Sequence, residues 1–526
     1  MRGQIATAAA VTMLGSVLYA GPAHAAGTGY TSSYETIPGH GGTPLKALVY
    51  EPKGRGPFPL IVMPASWSLF HAEYAGAAAG FASSGYAVVA YTSRGFWDSE
   101  GRIEVAGRPD VGDVSKVIDW AVKNARADQK RIGAAGISYG AGIPLIAAAF
   151  DKRIRAVSAM SGWANLPDSL YLNQTVSEQA AAMLLSVGHV TGRPGEDLLK
   201  VQDGYLKDRF GTALPLAAVR GADAYVKRIN ANKPALLLSG GWQDGIFPPA
   251  QNVDFFNRLR VPKRLMYQAG DHGTPDGLGA VGLPNDSWSA TRSWFDHYLK
   301  GKKNGVAKQG DVSLKANNGG SWKHFKNWNA QARSTLRYAL APGEKLARRS
   351  GAWKKTIATG NGTVADSGVV EVSGAAAQAD IHWTIRPSQV ARKDGLVFRG
   401  PKTGRANVIS GFPELRTTVT PSARNTSLFV YLYDEAPNGK AELITHIPYT
   451  LRGATPGKAR TLGLRLQPIR WKLAKGHRVT LVIDTMDIRY RSAGKRGGKL
   501  TFSSTPSNPA RLTLPVGTPP PASRLP

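Results

Sequence analysis

Six short runs of consecutive apolar residues recur along the first half of the chain, and helical patterns separate several of them. The runs lack the apolar–polar alternation of a half-exposed strand, so each is typical of a strand buried on both faces. Between two of them, Val114, Val117, Ile118 and Ala121 recur at the spacing of one helix face. This order predicts an α/β domain with a mostly parallel sheet covered by helices. Its predicted strands are residues 60–63, 85–91, 131–138, 154–160, 234–238 and 264–267.

The segment from about residue 164 to residue 232 interrupts this alternation. It is poor in strand patterns and contains two helical ones, at residues 176–185 and 198–210. Because the insertion follows one predicted sheet strand and precedes the next, we expect a helical cap over a binding cleft. The alternative is that these helices pack elsewhere on the same domain.

The character of the sequence changes after a polar, glycine-interrupted linker at residues 300–305. Beyond it, short alternating segments such as residues 427–433 and 479–484 are separated by turn sequences. This pattern is typical of an all-β domain, and a β-sandwich is its simplest form. We therefore predict a sheet domain at residues 26–305 and a β-sandwich at residues 306–526.

The N-terminus has the features of an export signal. Arg2 supplies a positive charge, residues 5–20 are mostly apolar, and Ala23-His24-Ala25 provides the small residues that a signal peptidase requires. We predict a signal peptide at residues 1–25 and a secreted, extracellular protein that associates with the cell wall. The alternative is a single membrane anchor, although the apolar run is short for a bilayer span. The chain has no cysteine, which excludes a thiol nucleophile and a thiolate metal site.

The net charge of +30 is concentrated in the second half of the chain. Residues 301–526 hold 37 Lys and Arg against 12 Asp and Glu, whereas residues 1–300 hold 29 against 24. A basic domain of this kind attracts polyanions, so we expect an anionic cell-wall polymer as partner and no nucleic acid. The alternative is a basic surface that serves solubility alone. The basic residues expected at the exposed surface include Lys354, Lys355, Arg489, Arg491 and Lys495.

The sharpest local signal is the sequence Gly136-Ile137-Ser138-Tyr139-Gly140. It follows a predicted buried strand and precedes a helix of small residues, which is the context of a nucleophile elbow. In such an elbow the strand turns tightly into the helix, and the turn exposes the serine hydroxyl. The pattern therefore predicts Ser138 as a catalytic nucleophile.

A serine hydroxyl becomes nucleophilic beside a base, and the base requires a group that orients it. The elbow predicts both groups downstream, each just past the end of a later strand. Asp244 and His272 occupy such positions, in the expected order along the chain. We therefore predict a catalytic triad of Ser138, His272 and Asp244. Other acids that compete for the orienting role are Asp254, Asp271 and Asp276.

The candidate residues lie in three short motifs: Ser138 in GISYG, Asp244 in GGWQDG and His272 in GDHG. With residues 93–101 and 428–439, they resemble the X-Pro dipeptidyl-peptidase and cocaine esterase family of serine hydrolases over nearly the whole mature chain. The resemblance implies an α/β-hydrolase domain followed by a jelly-roll β domain. It also implies an acyl-enzyme mechanism without metal or organic cofactor, acting on X-Pro peptides, small esters, α-amino acid esters or β-lactam side chains.

The candidate oxyanion site departs from this family. The family commonly places a tyrosine hydroxyl in the loop after the early strand, but residues 63–68 contain no tyrosine. The backbone N–H of Tyr139 supplies one donor. The second is then a backbone amide, the Ser66 hydroxyl or the Trp67 indole N–H, because losing an oxyanion donor costs about 3 kcal/mol. The alternative for Trp67 is that it only forms a wall of the pocket.

These observations predict a secreted serine hydrolase that cleaves an ester or amide bond of a small molecule or peptide. The motifs are common to peptidases and esterases, although no acidic pair suited to a substrate's free amino group is evident in the cap. The alternative function is a non-catalytic protein on a hydrolase scaffold that binds cell wall or polyanion through its basic β domain.

Overall fold

The computed structural model describes residues 29–517. The predicted signal peptide at residues 1–25 lies outside the described residues. Between residues 29 and 517, no helix is both long and apolar enough to cross a membrane.

A ten-stranded sheet forms the framework of the first domain. Its strands are β1 (Tyr30–Pro38), β2 (Pro44–Pro52), β3 (Phe58–Pro64), β4 (Ala87–Tyr91), β5 (Ala127–Ile137), β6 (Ile154–Met160), β7 (Ala235–Gly241), β8 (Lys263–Gln268), β9 (Val312–Leu314) and β10 (Lys323–Phe325). Their order in space is β1-β2-β4-β3-β5-β6-β7-β8-β9-β10. All neighbours from β4 to β9 are parallel, and the edge pairings are antiparallel. The prediction of a mostly parallel sheet is confirmed.

Apolar cores form on both faces of the sheet. Along β3, Leu60 and Val62 belong to one core, whereas Ile61 and Met63 belong to the other, because successive strand side chains point to opposite faces. Between residues 29 and 517 the α-helices are α1 (Ala75–Ser83), α2 (Arg108–Asn124), α3 (Tyr139–Ala147), α4 (Pro167–Leu170), α5 (Glu178–Thr191), α6 (Glu196–Leu206), α7 (Ala213–Ala218), α8 (Val226–Asn232), α9 (Pro249–Arg258), α10 (Gly277–Ala280), α11 (Asp286–Lys300) and α12 (Val372–Gln378). The predicted apolar face of α2 packs into the first core, and α1 and α11 pack into the second.

Helices α4 to α8 all lie in the insertion between β6 and β7. One contact places this insertion over the carboxyl end of the sheet: the indole nitrogen of Trp67, in the loop after β3, donates to the carbonyl oxygen of Leu184 in α5 at 2.9 Å. The approach is close, because a Cβ on Gly188 of α5 would lie 2.9 Å from the indole ring. The helical insertion therefore has the position expected of a cap.

The first sheet continues beyond the linker at residues 300–305. Strand β9 pairs in parallel with β8, and β10 pairs with β9. The predicted boundary between residues 305 and 306 therefore does not coincide with the end of this sheet, which closes at Phe325. The two strands are only three residues long, too short for periodicity to separate them from the β domain that follows.

The second domain is built almost wholly from antiparallel strands. They are β11 (Ser334–Ala341), β12 (Lys345–Ala347), β13 (Trp353–Ala358), β14 (Thr384–Ile385), β15 (Leu396–Arg399), β16 (Asn407–Gly411), β17 (Glu414–Pro421), β18 (Thr426–Glu435), β19 (Ala441–Leu451), β20 (Arg460–Arg465), β21 (Ile469–Leu473), β22 (Arg478–Asp484), β23 (Lys499–Ser504) and β24 (Arg511–Gly517). The pair β12–β15 is parallel. Strand β17 alternates between covered and more open positions, as a strand with one covered face does. The prediction of an all-β second domain is confirmed.

Two basic residues of the second domain do not occupy the exposed positions expected for them. Arg489 is 3% exposed, and a Cβ on Gly245 of the first domain would lie 3.0 Å from its guanidinium. Arg491 is partly buried and donates to the Glu178 carboxylate of α5 at 2.6 Å. The expectation was wrong because the loop after β22 packs against the first domain. The exposed residues of the expected set are Lys354, Lys355 and Lys495.

Candidate active site

The carboxyl ends of β5, β7 and β8 meet at one edge of the sheet, because these strands are parallel and separated only by β6. Ser138 follows β5 directly, and Asp244 and His272 lie in the loops after β7 and β8. This edge is where parallel α/β sheets bind ligands. The sheet order alone therefore brings the three candidate residues together.

The backbone at Ser138 makes the tight turn expected of an elbow. Ser138 has a φ of 55° and stands at the N-cap of α3, and its N–H donates to the Met160 carbonyl at 2.9 Å. A Cβ on Gly136 would lie 2.2 Å from the Gly140 carbonyl oxygen, and one on Gly140 would lie 2.0 Å from that of Pro64. Both glycines are therefore required by the close approach of backbone on either side of the serine.

The imidazole of His272 lies between the serine and the acid. Its Nε2 is 2.7 Å from Ser138 Oγ, and its Nδ1 is 3.1 Å from Asp244 Oδ2 and 3.2 Å from Oδ1. Asp244 is itself fixed, because its Oδ1 accepts from the N–H groups of Ile246 at 3.0 Å and Phe247 at 2.7 Å. All three side chains of the serine, histidine and acid are nearly buried. The structure thus gives the serine–histidine–acid arrangement that acyl transfer requires.

The electrostatics of the site act on the histidine in opposite directions. Burial lowers the pKa of His272, but the charge of Asp244, its hydrogen bond to the ring and the charges of Glu371 and Asp271 together outweigh burial. The pKa of His272 is therefore raised above its ordinary value of 6.5. At a pH below this raised pKa the ring is protonated and cannot take a proton from Ser138.

Asp271 lies beside the histidine and contacts the backbone of the site. Its Oδ1 accepts from the N–H of His272 and from the N–H of Gly245, each at 2.8 Å. These two N–H groups belong to the two loops that carry the candidate base and the candidate acid. Asp271 therefore fixes one loop against the other, rather than orienting the imidazole ring of His272.

Replacing Asp271 by alanine is expected to lower kcat about 10- to 100-fold, because a small misplacement of the base has effects of this size. Asp271→Asn is the matched control, since its amide oxygen can accept the same two N–H groups, and its activity should stay within about fivefold of wild type. The pH dependence of kcat/KM separates positioning from general damage. An Asp271→Ala enzyme with unchanged activity and an unchanged pH profile would contradict this assignment.

The other competing acids have other partners. Asp276 accepts from the Ser161 hydroxyl at 2.7 Å, and burial raises the pKa of Asp276 to about 6. Asp254 forms an ion pair with Arg465 of the second domain. The carboxylate on His272 Nδ1 is that of Asp244, as the order of residues along the chain predicts.

The Ser66 side chain does not serve as an oxyanion donor in this structure. Its hydroxyl lies 2.6 Å from Glu73 Oε1 and donates to the Ile137 carbonyl at 2.8 Å, while its N–H donates to Glu73 Oε2 at 2.7 Å. The hydroxyl is thus engaged with the residue that precedes Ser138. Ser66 supports the elbow, which corrects the expectation that its hydroxyl faces the reacting carbonyl.

The Trp67 indole N–H is not available for the oxyanion either, because it donates to the Leu184 carbonyl. The ring stands edge-on to Tyr139, with centroids 5.1 Å apart, and lines the cavity beside Ser138. The alternative role of Trp67 as a pocket wall is therefore the one the structure shows. With both side chains engaged, the candidate donors are the backbone N–H of Tyr139, at the first position of α3 where an N–H has no partner in its helix, and a backbone amide of the loop after β3.

Sequence reasoning missed two residues that hold the elbow. The hydroxyl of Tyr74 accepts from the Ile137 N–H at 2.9 Å, and Glu73 holds Ser66 as described. Burial raises the pKa of Glu73 to about 7. Both residues belong to a short turn before α1 whose sequence carries no catalytic motif, so only their contacts reveal the role.

A cavity extends from Ser138 into the space beneath the cap. It has about 1010 Å³ of empty volume, its open mouth included, and its walls include Trp67, Tyr139, Trp163 and Phe247 together with the inner faces of α5, α6 and α7. The cap insertion thus encloses a binding space beside the serine. Among residues 29–517, no group of three or more His, Asp or Glu side chains is placed to hold a metal ion.

Comparison with known proteins gives consistent matches over both domains. Residues 41–274 match the X-Pro dipeptidyl-peptidase (S15 family), and residues 304–514 match the X-Pro dipeptidyl-peptidase C-terminal non-catalytic domain. A Bacillus anthracis protein named "Putative Xaa-Pro dipeptidyl-peptidase" is 23% identical over 473 residues, which cover 82% of this chain and 73% of the relative.

Solved structures show the same fold. An aminopeptidase from a Thaumarchaeota archaeon superposes with a TM-score of 0.74 at 14% identity, over 96% of this chain and 99% of that one. A CocE/NonD family hydrolase from Staphylococcus aureus gives 0.74 at 13% identity, over 93% and 94% of the two chains. An α-amino acid ester hydrolase gives 0.69 at 17% identity, over 95% and 98%.

The α/β-hydrolase domain, its appended β domain and these matches define the chain as a serine hydrolase. The predicted fold class is thereby confirmed. The chain belongs to the X-Pro dipeptidyl-peptidase and cocaine esterase family of serine hydrolases. The comparisons favour this enzyme class over the alternative of a non-catalytic binding protein.

Proposed function

We propose that the protein hydrolyses an ester or amide bond through a covalent acyl-enzyme formed on Ser138, with His272 as general base and Asp244 as its orienting group. The observation that carries the proposal is the continuous contact from Ser138 Oγ through His272 to Asp244. In the same place, the backbone turn at Ser138 presents its oxygen to a cavity large enough for a small substrate.

The chemistry follows from the positions of the three side chains. Ser138 Oγ attacks the carbonyl carbon while its proton passes to His272 Nε2, and the leaving oxygen or nitrogen departs with that proton as its bond to the carbonyl carbon breaks. Water then gives a proton to Nε2 and its oxygen bonds to the same carbon. The bond between the carbon and Oγ breaks, and Oγ regains the proton. Asp244 stabilises the transient imidazolium through Nδ1–H.

The developing oxyanion requires donors close to Ser138. We propose the backbone N–H of Tyr139 as one donor and the backbone N–H of Trp67 as the second, because the Ser66 N–H and hydroxyl and the Trp67 indole are all engaged with other groups. The positive end of α3 supports the same charge.

A pre-steady-state experiment tests the acyl-enzyme directly. With a p-nitrophenyl ester in excess, we expect a burst of p-nitrophenol that approaches one equivalent of enzyme before steady turnover, because acylation releases the phenol before deacylation. Turnover without a covalent intermediate, shown by the absence of a burst and of acyl adduct after acid quenching, would contradict the proposed mechanism.

Export and attachment to an anionic cell-wall polymer remain predictions. They rest on the apolar N-terminal run and on the basic second domain. We propose that the exposed lysines of the β domain keep the exported enzyme near anionic polymer. Exposed charges act over roughly 8–10 Å at physiological ionic strength, so retention on such polymer should weaken as salt is added.

The double reversal Lys354→Glu and Lys495→Glu is expected to lower retention on anionic wall polymer about 30-fold or more, since each surface lysine contributes about 1 kcal/mol near an anionic surface. Lys123→Glu, an exposed change on α2 of the first domain, is the matched control and should leave retention unchanged. Pull-down across a salt series measures the effect. Retention insensitive to both salt and the double reversal would contradict the tethering role.

A further inference from the structure

The cavity beside Ser138 is lined by the inner faces of the cap helices. Its cap residues recur at helical spacing, so that each helix presents one continuous apolar stripe. On α5 and α6 these residues are Ala181, Leu184, Leu185, Leu198, Val201 and Tyr205. No Asp, Glu, Lys, Arg or His is among the residues that line the cavity.

The indole groups of the lining direct their only donors away from the cavity space. Trp67 Nε1 donates to the Leu184 carbonyl at 2.9 Å, and Trp163 Nε1 donates to the Arg220 carbonyl at 2.5 Å. Both acceptors are main-chain oxygens of the cap. The two rings therefore offer carbon faces and edges to whatever fills the cavity.

The hydroxyl groups of two tyrosines in the lining also form hydrogen bonds with residues that do not line the cavity. The Tyr139 hydroxyl accepts from the Ala106 N–H at 2.8 Å, and the Tyr205 hydroxyl donates to the Glu178 carboxylate at 2.7 Å. The ring of Tyr171 packs against Phe210 with centroids 4.5 Å apart. Its hydroxyl, like any phenol, is uncharged at neutral pH, and burial raises its pKa further. Apart from Ser138, the space beside the elbow is thus lined by uncharged and mainly apolar groups.

We propose that this cavity is the acyl site of the enzyme and takes the uncharged, apolar chain of a medium-length fatty acid. The inference rests on the proposed function, since it places the carbonyl carbon at Ser138 Oγ. The chain would lie under the cap, and the alcohol would leave toward the opposite side. The acyl-enzyme forms and hydrolyses as described above, with a fatty acid and an alcohol as products.

The same lining disfavours a substrate whose acyl part carries a free ammonium. An ion moved from water into an apolar space without a counter-charge loses several kcal/mol of hydration. The charge of Glu371, a residue of the second domain, raises the pKa of His272. Glu371 is not among the residues that line the cavity. X-Pro peptides and α-amino acid esters are therefore expected to be poor substrates.

A series of p-nitrophenyl esters from acetate to octanoate tests the acyl site. Each buried methylene is expected to raise kcat/KM about fourfold, which amounts to roughly 250-fold between acetate and hexanoate by the same principle. Ser138→Ala provides the background to subtract. A Ser138-dependent rate that is flat or falls with chain length would overturn the proposal.

The ester of norleucine tests charge with almost no change in shape, because it is the hexanoate chain with an α-ammonium added. We expect its kcat/KM to lie at least about 100-fold below that of the hexanoate ester. Preference for the norleucine ester, lost in Glu371→Gln, would overturn the proposal and identify an amine subsite instead.

Two adjacent alanines of α7 give a matched pair of variants. Ala217 lines the cavity, whereas Ala218 is exposed. Ala217→Glu should lower hexanoate turnover at least tenfold and raise the norleucine-to-hexanoate ratio, while Ala218→Glu should stay within about twofold of wild type. Ala217→Phe, which fills the cavity without adding charge, should lower octanoate turnover more than acetate turnover.

Different results would contradict the proposed function and the proposed acyl site. If the wild-type enzyme showed no Ser138-dependent turnover of any ester, acetate included, the proposed function itself would be contradicted. Turnover of acetate that depends on Ser138, combined with equal effects of the Ala217 and Ala218 variants, would leave that function intact and overturn the acyl site. The wild-type ester series decides the question even where the Ala217→Glu enzyme fails to fold.

Discussion

Replacing Ser138 by alanine is expected to lower kcat/KM for ester substrates about 10⁴- to 10⁶-fold. The reason is that the hydroxyl forms and breaks the bond to the acyl carbon, and no other side chain of the site reaches that position in the same geometry. His272 and Asp244 have no nucleophile to act upon once Oγ is removed. Steady-state hydrolysis of p-nitrophenyl hexanoate measures the loss.

Ser158→Ala is a suitable control for this experiment. Ser158 is also a buried serine, on β6, and its hydroxyl lies 2.6 Å from that of Thr291 rather than near His272. Its removal should change activity less than about twofold. Comparable losses in the two variants would show that damage to the fold, not loss of the nucleophile, explains the effect.

Replacing Asp244 by asparagine is expected to lower kcat about 10⁴-fold, because an amide no longer stabilises the imidazolium and favours the wrong ring tautomer. The residual activity should also depend differently on pH. In the wild-type enzyme the raised pKa of His272 places the acid limb of kcat/KM above pH 6.5, and activity is lost as pH falls through it. In Asp244→Asn the acid limb should move to lower pH. Burial still lowers the pKa of His272, and the charge of Asp244 no longer raises it.

Asp276→Asn tests whether any buried acid near the histidine has the same effect. Asp276 is fully buried, but its carboxylate contacts Ser161. We expect a loss of less than tenfold and a pH profile close to wild type. If the Asp276 variant lost as much activity as the Asp244 variant, with the same shift of the acid limb, the orienting role of Asp244 would be contradicted.

The central arrangement of the site was predictable because it follows from sheet geometry. Parallel strands carry their carboxyl ends to one edge, so residues just past three strand ends must lie near one another. The elbow motif identifies the first of them, and chain order selects the other two. No long-range contact has to be known for this part of the prediction.

The roles of Ser66 and Trp67 were not predictable in the same way. Each depends on a partner supplied by tertiary packing: Glu73 and Ile137 for Ser66, and a main-chain oxygen of α5 for Trp67. A donor in the right loop is a sensible candidate from sequence. Whether it faces the reacting carbonyl depends on acceptors that only the folded chain brings near.

The burial of Arg489 shows a similar limit for charge patterns. Its neighbours in sequence, Tyr490 and Arg491 among them, have the appearance of a basic surface loop. In the structure the loop packs on the first domain beside Gly245. There the positive charge of Arg489 works against the rise in the pKa of Asp271 that burial causes. Total charge predicted the basic character of the domain but not which of its charges remain free.

The role of Ser138 as nucleophile can be tested by locating a fluorophosphonate adduct on the folded protein. Such a probe reacts only with a serine whose hydroxyl is activated by a neighbouring base. We expect one adduct per chain, found by peptide mass spectrometry on Ser138 and formed more slowly as pH falls below the raised pKa of His272. Absence of labelling in folded, ester-hydrolysing protein, or a single adduct on another residue, would contradict that role.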